Sequence, residues 1–394
     1  MKRLSTASAA MTAMAAIAVG WPGPASAAST WTTQTTALPA GATRGALQGV
    51  SCLTASRCTA VGFYVKHNAT RSLAESWDGT AWTVQAAPSP AALNSSLNAV
   101  SCATSTSCMA VGYFQVAAND VVQPLAEHWN GSTWTIPPVS VPAGALGGGL
   151  LGVSCTSDTS CTATGYYVKP ISNNRLVYAL AERWDGSTWS IQATPSKPRS
   201  QLSGVSCTSD TSCTAVGNYE PTPPNGSQLT LAEHWNGTTW TVQPTPNPAN
   251  PVASLAAIAC SSAATCTAVG KSISAVGVMQ TLAEHWNGST WVTQPTPNPT
   301  ATQAGSLTGL WGVSCPTASS CTAAATFAPT SFTARAAAEY WNGSSWKIQA
   351  TAQPAAGKHL AAVSCVSAHV CTAVGGIFTQ GTNRLLQQPL AEHD

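Results

Sequence analysis

Charge is what this chain has least of. Only 8% of its 394 residues are Asp, Glu, Lys or Arg, against about a quarter in an ordinary globular protein. So little charge cannot solvate the outer faces of many helices, while plentiful Thr, Trp, Gly and Pro favour short strands and turns. Beyond residue 27 no apolar run approaches the ~20 residues a membrane-spanning helix needs, so none is expected. The glycine-rich stretch Gly144–Gly152 is not followed by Gly-Lys-Ser/Thr, which excludes a phosphate loop there and leaves a flexible crossing. No cysteines stand in C-x2-C spacing with histidines nearby, which argues against zinc. No metal and no cofactor are expected.

The first 27 residues stand apart. Lys2 and Arg3 make a basic start, Ala9–Val19 an apolar stretch, and Ala25-Ser26-Ala27 a small-residue cleavage site, the pattern of a secretory signal peptide. The expected mature chain, 28–394, is a secreted, extracellular, monomeric single domain. Without Lys2 and Arg3 it carries 14 basic and 14 acidic residues. A neutral chain has no net attraction for nucleic acid, so charge-driven binding must come from how the charges are distributed.

Fourteen cysteines form seven C-x5-C pairs: Cys52/Cys58, Cys102/Cys108, Cys155/Cys161, Cys207/Cys213, Cys260/Cys266, Cys315/Cys321 and Cys365/Cys371. Their near-regular spacing of 50–55 residues marks a repeat architecture. In an exported chain with no cysteine left over, seven local disulfides follow. Loops this short give only ~2–2.5 kcal/mol each, so the bridges are expected to pin hairpins rather than shape the fold. Each unit reads as four strands, for example Leu202–Cys207, Cys213–Tyr219, Leu231–Trp235 and Thr239–Gln243, with Asn236-Gly237 turning the last hairpin. Alternation puts Leu231, Glu233, Trp235, Trp240 and Val242 on one face and Ala232, His234 and Thr241 on the other. A 50-residue module cannot bury two tryptophans alone, so the units must stack.

A linear stack needs polar caps, and none is visible. Instead the final unit ends at "PLAEHD" (Pro389–Asp394) without its fourth strand, and "STWTTQ" (Ser29–Gln34) copies "STWVTQ" (Ser289–Gln294). The two ends are expected to share one blade and close a ring, which removes the open sheet edges. The fold class is therefore all-β: a seven-bladed β-propeller with four antiparallel strands per blade.

The stretch "AEHWNGTTWTVQPTPNP…LAAIACSSAATCTAVG" resembles a kelch-type repeat, with an aromatic and a turn before a second Trp, a Pro-rich crossing, and a strand ending in glycine. It departs from kelch in having Ala215-Val216-Gly217 where two glycines stand, and in adding the cysteine pair. "WNGSTW" also resembles the tail of the sialidase Asp-box, but Trp129 holds the place of the aspartate. The resemblance implies a propeller and leaves function open, since propellers host many functions.

Half of the acidic residues occupy one repeated position, the glutamate of "LAE": Glu75, Glu127, Glu182, Glu233, Glu284, Glu339 and Glu392. They read as structural carboxylates, each accepting hydrogen bonds from a neighbouring blade's backbone or an indole N–H, because buried carboxylates need partners. The alternative is a ring of cation or sugar sites. His128, His234, His285 and His393 follow that glutamate and point to the opposite face, which excludes a Glu–His catalytic pair. A sialidase-like site would need arginines, a Tyr–Glu pair and an Asp. The nearest candidates, Arg71, Arg175, Arg335, Tyr64 and Asp120, share no motif.

Connectivity places the first and third turns of every unit on one side, and the second turn and the crossing on the other. The second side collects Lys66, Arg71, Lys169, Arg175, Lys271, Arg335 and Arg384 from the variable second turns, with Arg44, Lys197, Arg199 and Lys358 from the crossings. The first side carries Asp78, Asp158, Asp185 and Asp210 with only Arg57 opposing. Variable loops on a rigid scaffold are where recognition concentrates. The expected function is a non-enzymatic binding or adhesion scaffold whose basic face meets an acidic polysaccharide, an envelope polymer or a protein. A lectin with repeated sites between blades is the alternative, and a glycan-cleaving enzyme comes third.

Overall fold

The computed structural model describes residues 31–90, 94–116, 121–171, 174–195, 199–221, 227–247, 252–298, 308–327, 334–352, 357–380 and 385–394. The signal-peptide reading of residues 1–27 lies outside the described residues. No helix among them is long and apolar enough to cross a membrane.

Seven four-stranded antiparallel sheets make a β-propeller. Blade 4 is representative, with strands Ser200–Ser209, Ser212–Tyr219, Leu229–Trp235 and Trp240–Gln243 running from the axis outward. The first strands of all seven blades line an axial opening of about 160 Å³. Blade 7 comprises Gly357–Ser367, Val370–Gln380 and Leu385–His393, and its outermost strand is Thr32–Gln34. The pairing Thr32 with His393, Thr33 with Glu392 and Gln34 with Ala391 closes the ring where the repeat pattern placed the closure.

The first strands extend past the expected ones at both ends, and each contains a β-bulge, such as that between Leu47 and Gly49. The residue after the bulge is Gly or Ala in every blade, from Gly49 and Ala99 to Gly312 and Ala362. The cause is steric: a Cβ at Gly49 would lie 2.9 Å from the Ala99 Cα of the next blade. Bulging lets the inner strands twist sharply and meet around a narrow axis. In the six blades built from continuous chain the last turn has four residues. In blade 4 Trp235 pairs with Trp240, and the Asn236 side chain accepts from the Thr238 and Thr239 amides while Gly237 takes a φ of 95°.

All seven C-x5-C pairs form disulfides across the first hairpin: Cys52–Cys58, Cys102–Cys108, Cys155–Cys161, Cys207–Cys213, Cys260–Cys266, Cys315–Cys321 and Cys365–Cys371, with Cα atoms 3.9–4.1 Å apart. No free cysteine remains among the described residues, which points to a non-reducing, extracellular environment. The structure corrects the expectation that these bridges only pin hairpins. The first half-cystines are half-buried, but the second ones (Cys58, Cys108, Cys161, Cys213, Cys266, Cys321 and Cys371) are core residues, at most 3% exposed. The reason is their place on the second strand, which neighbouring strands flank and the preceding blade covers. Cys161 packs with Met109 and Val111 of blade 2, and Cys266 with Val216 and Ala232 of blade 4. Cys321 joins Val269 and Ala283 of blade 5, and Cys371 joins Ala324 and Ala338 of blade 6. Threonine hydroxyls of the preceding blade also reach these sulfurs, Thr267 at 3.7 Å from Cys321 and Thr322 at 3.6 Å from Cys371. The bridges are therefore part of the packing between blades as well as hairpin staples.

Two hydrogen-bond ladders join neighbouring blades. Near the axis, the amides of six first half-cystines donate to a serine of the preceding blade, as Cys102 to Ser51 and Cys207 to Ser154, with Cys52 reaching Ser364 across the closure; Cys315 has no such rung because Ala259 stands at the serine position. Toward the rim, the buried fourth-strand indole donates to the glutamine of the preceding "W-x-x-Q": Trp82 to Gln34, Trp134 to Gln85, Trp240 to Gln192, Trp291 to Gln243 and Trp346 to Gln294, at 2.8–3.0 Å. Pro137 stands where blade 2 should supply a glutamine, and the Trp189 indole N–H is buried without a partner among the described residues. Pro137→Gln is therefore expected to complete that rung and stabilise the protein by ~1 kcal/mol. Chemical denaturation measures this, and a variant no more stable than the parent refutes the ladder's energetic role at that position.

Candidate functional site

The candidate site is built from the hairpins and crossings that vary between blades. Blade 3 has the longest second hairpin, Ser160–Ile171 paired with Asn174–Trp184, and it carries Lys169 and Arg175, both exposed. Tyr167 and Tyr178 stack across it at 5.4 Å and stiffen the stem. The chain then crosses to blade 4 through Arg199, whose φ of 59° is unusual for a residue with a Cβ. Its carbonyl accepts from the Glu220 amide, and its guanidinium pairs with the Glu220 carboxylate at 3.1 Å. Both partners are well exposed, so the ion pair itself contributes only ~0–1 kcal/mol; its effect is to aim the guanidinium.

Between these elements lies an open groove of about 230 Å³, lined by Arg175, Arg199, Gln201, Asn218, Glu220 and Gln228 among others. Arg175 has no ion-pair partner among the described residues. The groove offers one unspent guanidinium, a second with a solvent-exposed edge, and several amide donors, against one carboxylate already engaged. Chemically it suits an anionic or hydroxyl-rich ligand that accepts hydrogen bonds.

The other basic candidates are spread around the ring. Lys66 Nζ donates to the Ala40 carbonyl at 3.0 Å. Arg71 pairs with Tyr64 in the second hairpin of blade 1, and Arg335 with Phe327 in blade 6, where it is exposed. Lys271 is half-buried with its ammonium 5.1 Å from the Trp311 ring centroid, a cation–π contact that holds it against blade 6. Lys197 and Arg384 lie outside the described residues.

Lys358 corrects the sequence reading. It is no surface cation but is 2% exposed, and its ammonium pairs with Glu392 and donates to the Ala352 carbonyl. The signal was present: at its position the other six blades carry Gly45, Ser95, Gly148, Ser200, Ala253 and Thr308, all small. A lone lysine there has room only inward. On the opposite face, Arg183 approaches Asp210 to 3.7 Å, so Arg57 is not the sole cation among those aspartates.

All seven repeated glutamates are buried, at most 1% exposed. The expected indole partners are absent among the described residues, because the fourth-strand indoles bond glutamines instead. Ser72, Thr230 and Thr281 of the preceding blades approach Glu127, Glu284 and Glu339 without completing well-formed hydrogen bonds. Burial therefore dominates, and pushes the pKa of Glu75, Glu127, Glu182, Glu284 and Glu339 up to about 8. Burial also raises Glu392, partly offset by Lys358.

No family model and no curated protein matches this chain. Similar solved structures are propellers. YCF48 bound to D1 peptide superposes with a TM-score of 0.53 at 12% identity, covering 92% of this chain and 96% of that one. YCF48 from Cyanidioschyzon merolae gives 0.52 at 14% identity, covering 93% and 99%. The PL25 ulvan lyase, a polysaccharide lyase bound to -[GlcA(1-4)Rha3S]-, gives 0.56 at 8% identity, covering 91% and 92%. Identities this low establish the shared fold alone. The neighbours include an enzyme and a peptide-bound propeller, so the fold by itself does not decide whether this chain catalyses a reaction.

Proposed function

We propose that this protein is a secreted, non-enzymatic binding scaffold that recognises an anionic extracellular or envelope polymer through the groove between blades 3 and 4. The observation that carries the reading is the convergence of Arg175 and Arg199 on that one groove, beside the exposed Lys169. Neither arginine is linked to the other by any sequence motif. Their unusual company in a chain with so few charges supports a role beyond solvation. The leader-like first 27 residues support export, and the kelch-like repeats support a rigid frame carrying variable loops. Only Arg175, Arg199 and Glu220 of the groove lining carry charge, and Glu220 is tied to Arg199, which supports binding rather than proton transfer.

Polygalacturonate and a poly(glycerol phosphate) teichoic acid are suitable probes. The protein should retain on either at low ionic strength and release as salt screens the contact. Arg175→Glu with Arg199→Glu should weaken retention about tenfold or more. No retention at low salt, or retention untouched by the double reversal, overturns the reading. Release of unsaturated oligosaccharides from polygalacturonate would instead make the protein a lyase.

A further inference from the structure

The opposite face, with its short turns, is monotonous except in one place. Between blades 1 and 2 lies a cavity of about 290 Å³ walled by the half-buried indoles of Trp77 and Trp129. Both indoles are held in place: Trp77 packs on Trp82 at 5.6 Å between centroids, and Trp129 on Trp134 at 5.7 Å. Three polar groups complete the site, namely Arg57, Asp78 and Gln85.

Comparison among the blades shows why the cavity is here. The residue after the repeated glutamate faces the next blade, and it is His128, Arg183, His234, His285, Tyr340 or His393 elsewhere. Three of these side chains are seen to reach across to the next blade. His128 lies 6.0 Å from the Trp184 ring of blade 3. Arg183 donates to Ser160 of its own blade at 2.8 Å and spans to Asp210 of blade 4. Tyr340 lies 6.2 Å from His369 of blade 7. In blade 1 the position is Ser76, which is too short to cross, so Trp129 stays uncovered.

The rim is equally singular. Before the second half-cystine the other blades carry Ser107, Ser160, Ser212, Thr265, Ser320 and Val370, whereas blade 1 carries Arg57. Arg57 has no ion-pair partner among the described residues. Gln85 accepts the Trp134 indole N–H through Oε1, so its NH₂ is free to donate. Asp78 holds the turn through Oδ1, which accepts from Thr80 and Ala81, and its second oxygen is spare. The Trp129 indole N–H bonds to no described residue, although the equivalent N–H of Trp77 donates to Ala55.

We propose that this cleft is a binding site for a single pyranose sugar, distinct from the groove on the variable face. A pyranose presents an apolar C–H face that packs on an indole, and a rim of hydroxyls that both donate and accept. Here Trp129 and Trp77 supply the apolar walls. The spare oxygen of Asp78 accepts from adjacent hydroxyls, while Arg57, Gln85 and the Trp129 N–H donate. The volume sits at the lower end of small-molecule sites, about 300 Å³, which suits one ring rather than a chain. The other six blades carry longer side chains at the Ser76 position, so the site is single, not sevenfold.

The test titrates the whole protein with the methyl pyranosides of glucose, galactose and mannose and with N-acetylglucosamine. Tryptophan indole N–H resonances report the site. At least one sugar should shift Trp129 and Trp77 while leaving Trp240 and Trp291 still. Ser76→His copies four other blades and so should fold, and it should weaken that sugar about tenfold or more by filling the cleft. Ser76→Ala, which keeps the space, should bind as the parent does, and so should Arg175→Glu on the other face. If none of the four sugars moves Trp129, or if the Ser76→His variant binds as well as the parent, the proposal is wrong.

Discussion

Replacing Trp31 with alanine should lower stability by ~3–5 kcal/mol, the usual cost of emptying a buried aromatic position. Trp31 is 3% exposed and packs with Leu360, Val363 and Leu390 of its own blade and with Ala324, Ala336 and Ala338 of blade 6. It thus seals the interface between blades 6 and 7, while Gln34, three residues on, receives the Trp82 indole of blade 1. One short strand therefore ties three blades. A loss of several kcal/mol is comparable to the ~5–15 kcal/mol that holds a typical protein together. Trp77→Ala, at a half-buried rim position, should cost clearly less and serves as the control. Chemical denaturation compares them, and an unchanged midpoint for Trp31→Ala would show that the ring does not depend on its closing strand.

Stability should also decline between about pH 7 and pH 8, above the range in which four histidines whose pKa burial lowers, His128, His234, His285 and His359, act in the opposite sense. Five glutamates have folded-state pKa values near 8 against an ordinary value of 4.5, because burial penalises the carboxylate. Over this interval the folded chain binds more protons than the unfolded one, so unfolding free energy falls as pH rises. The contribution is fully present below about pH 4.5 and is lost as pH climbs through the folded value. A neutral carboxylic acid and a primary amide are close in shape. Glu127→Gln should therefore match the parent near pH 5 and exceed it near pH 9, where the parent must bury a charge or open. Melting curves across that range decide the matter. A parent whose melting temperature is flat or rises between about pH 7 and pH 8 would mean that the carboxyls are ionised and partnered. Glu392 behaves differently, since Lys358 supplies it with a buried cation.

Much of this was legible from residues alone. The C-x5-C pairs and the matching stretches at the two ends led directly to seven blades closed by Thr32–Gln34. The bulges were not legible, because a one-residue insertion just after Leu47 or Leu202 leaves no mark beyond a small residue two places later. Nor was the unequal burial of the two half-cystines, since spacing sets which cysteines meet but not which of them the preceding blade covers. "W-x-x-Q" was visible in sequence, but its function was not: the glutamine serves the next blade's indole, a contact about 50 positions away that depends on blade spacing. The convergence of Arg175 and Arg199 on one groove was hidden because it too depends on how blade 3 meets blade 4. Ser76 and Arg57 were readable as departures from the repeat, and only the packing of blade 1 on blade 2 gives those departures a shared cavity.

Both ladders run one way: wherever a rung forms, a half-cystine amide or an indole hangs on the blade before it. A chain emerging N-terminus first can therefore assemble unit by unit, each new blade docking on a finished template with contacts spanning about 50 residues. The exception is the seam, where the Thr32 hydroxyl meets His393 across 361 positions. Pairings that distant are slow, because the entropy of closing so large a loop is lost before the contacts form. Until they form, Leu385–His393 presents a bare strand edge, and a bare edge will accept a matching strand from another molecule. Crowded chains at this stage should exchange their first strands, so the step most exposed to misassembly is the final one, when a nearly complete ring waits for its own beginning.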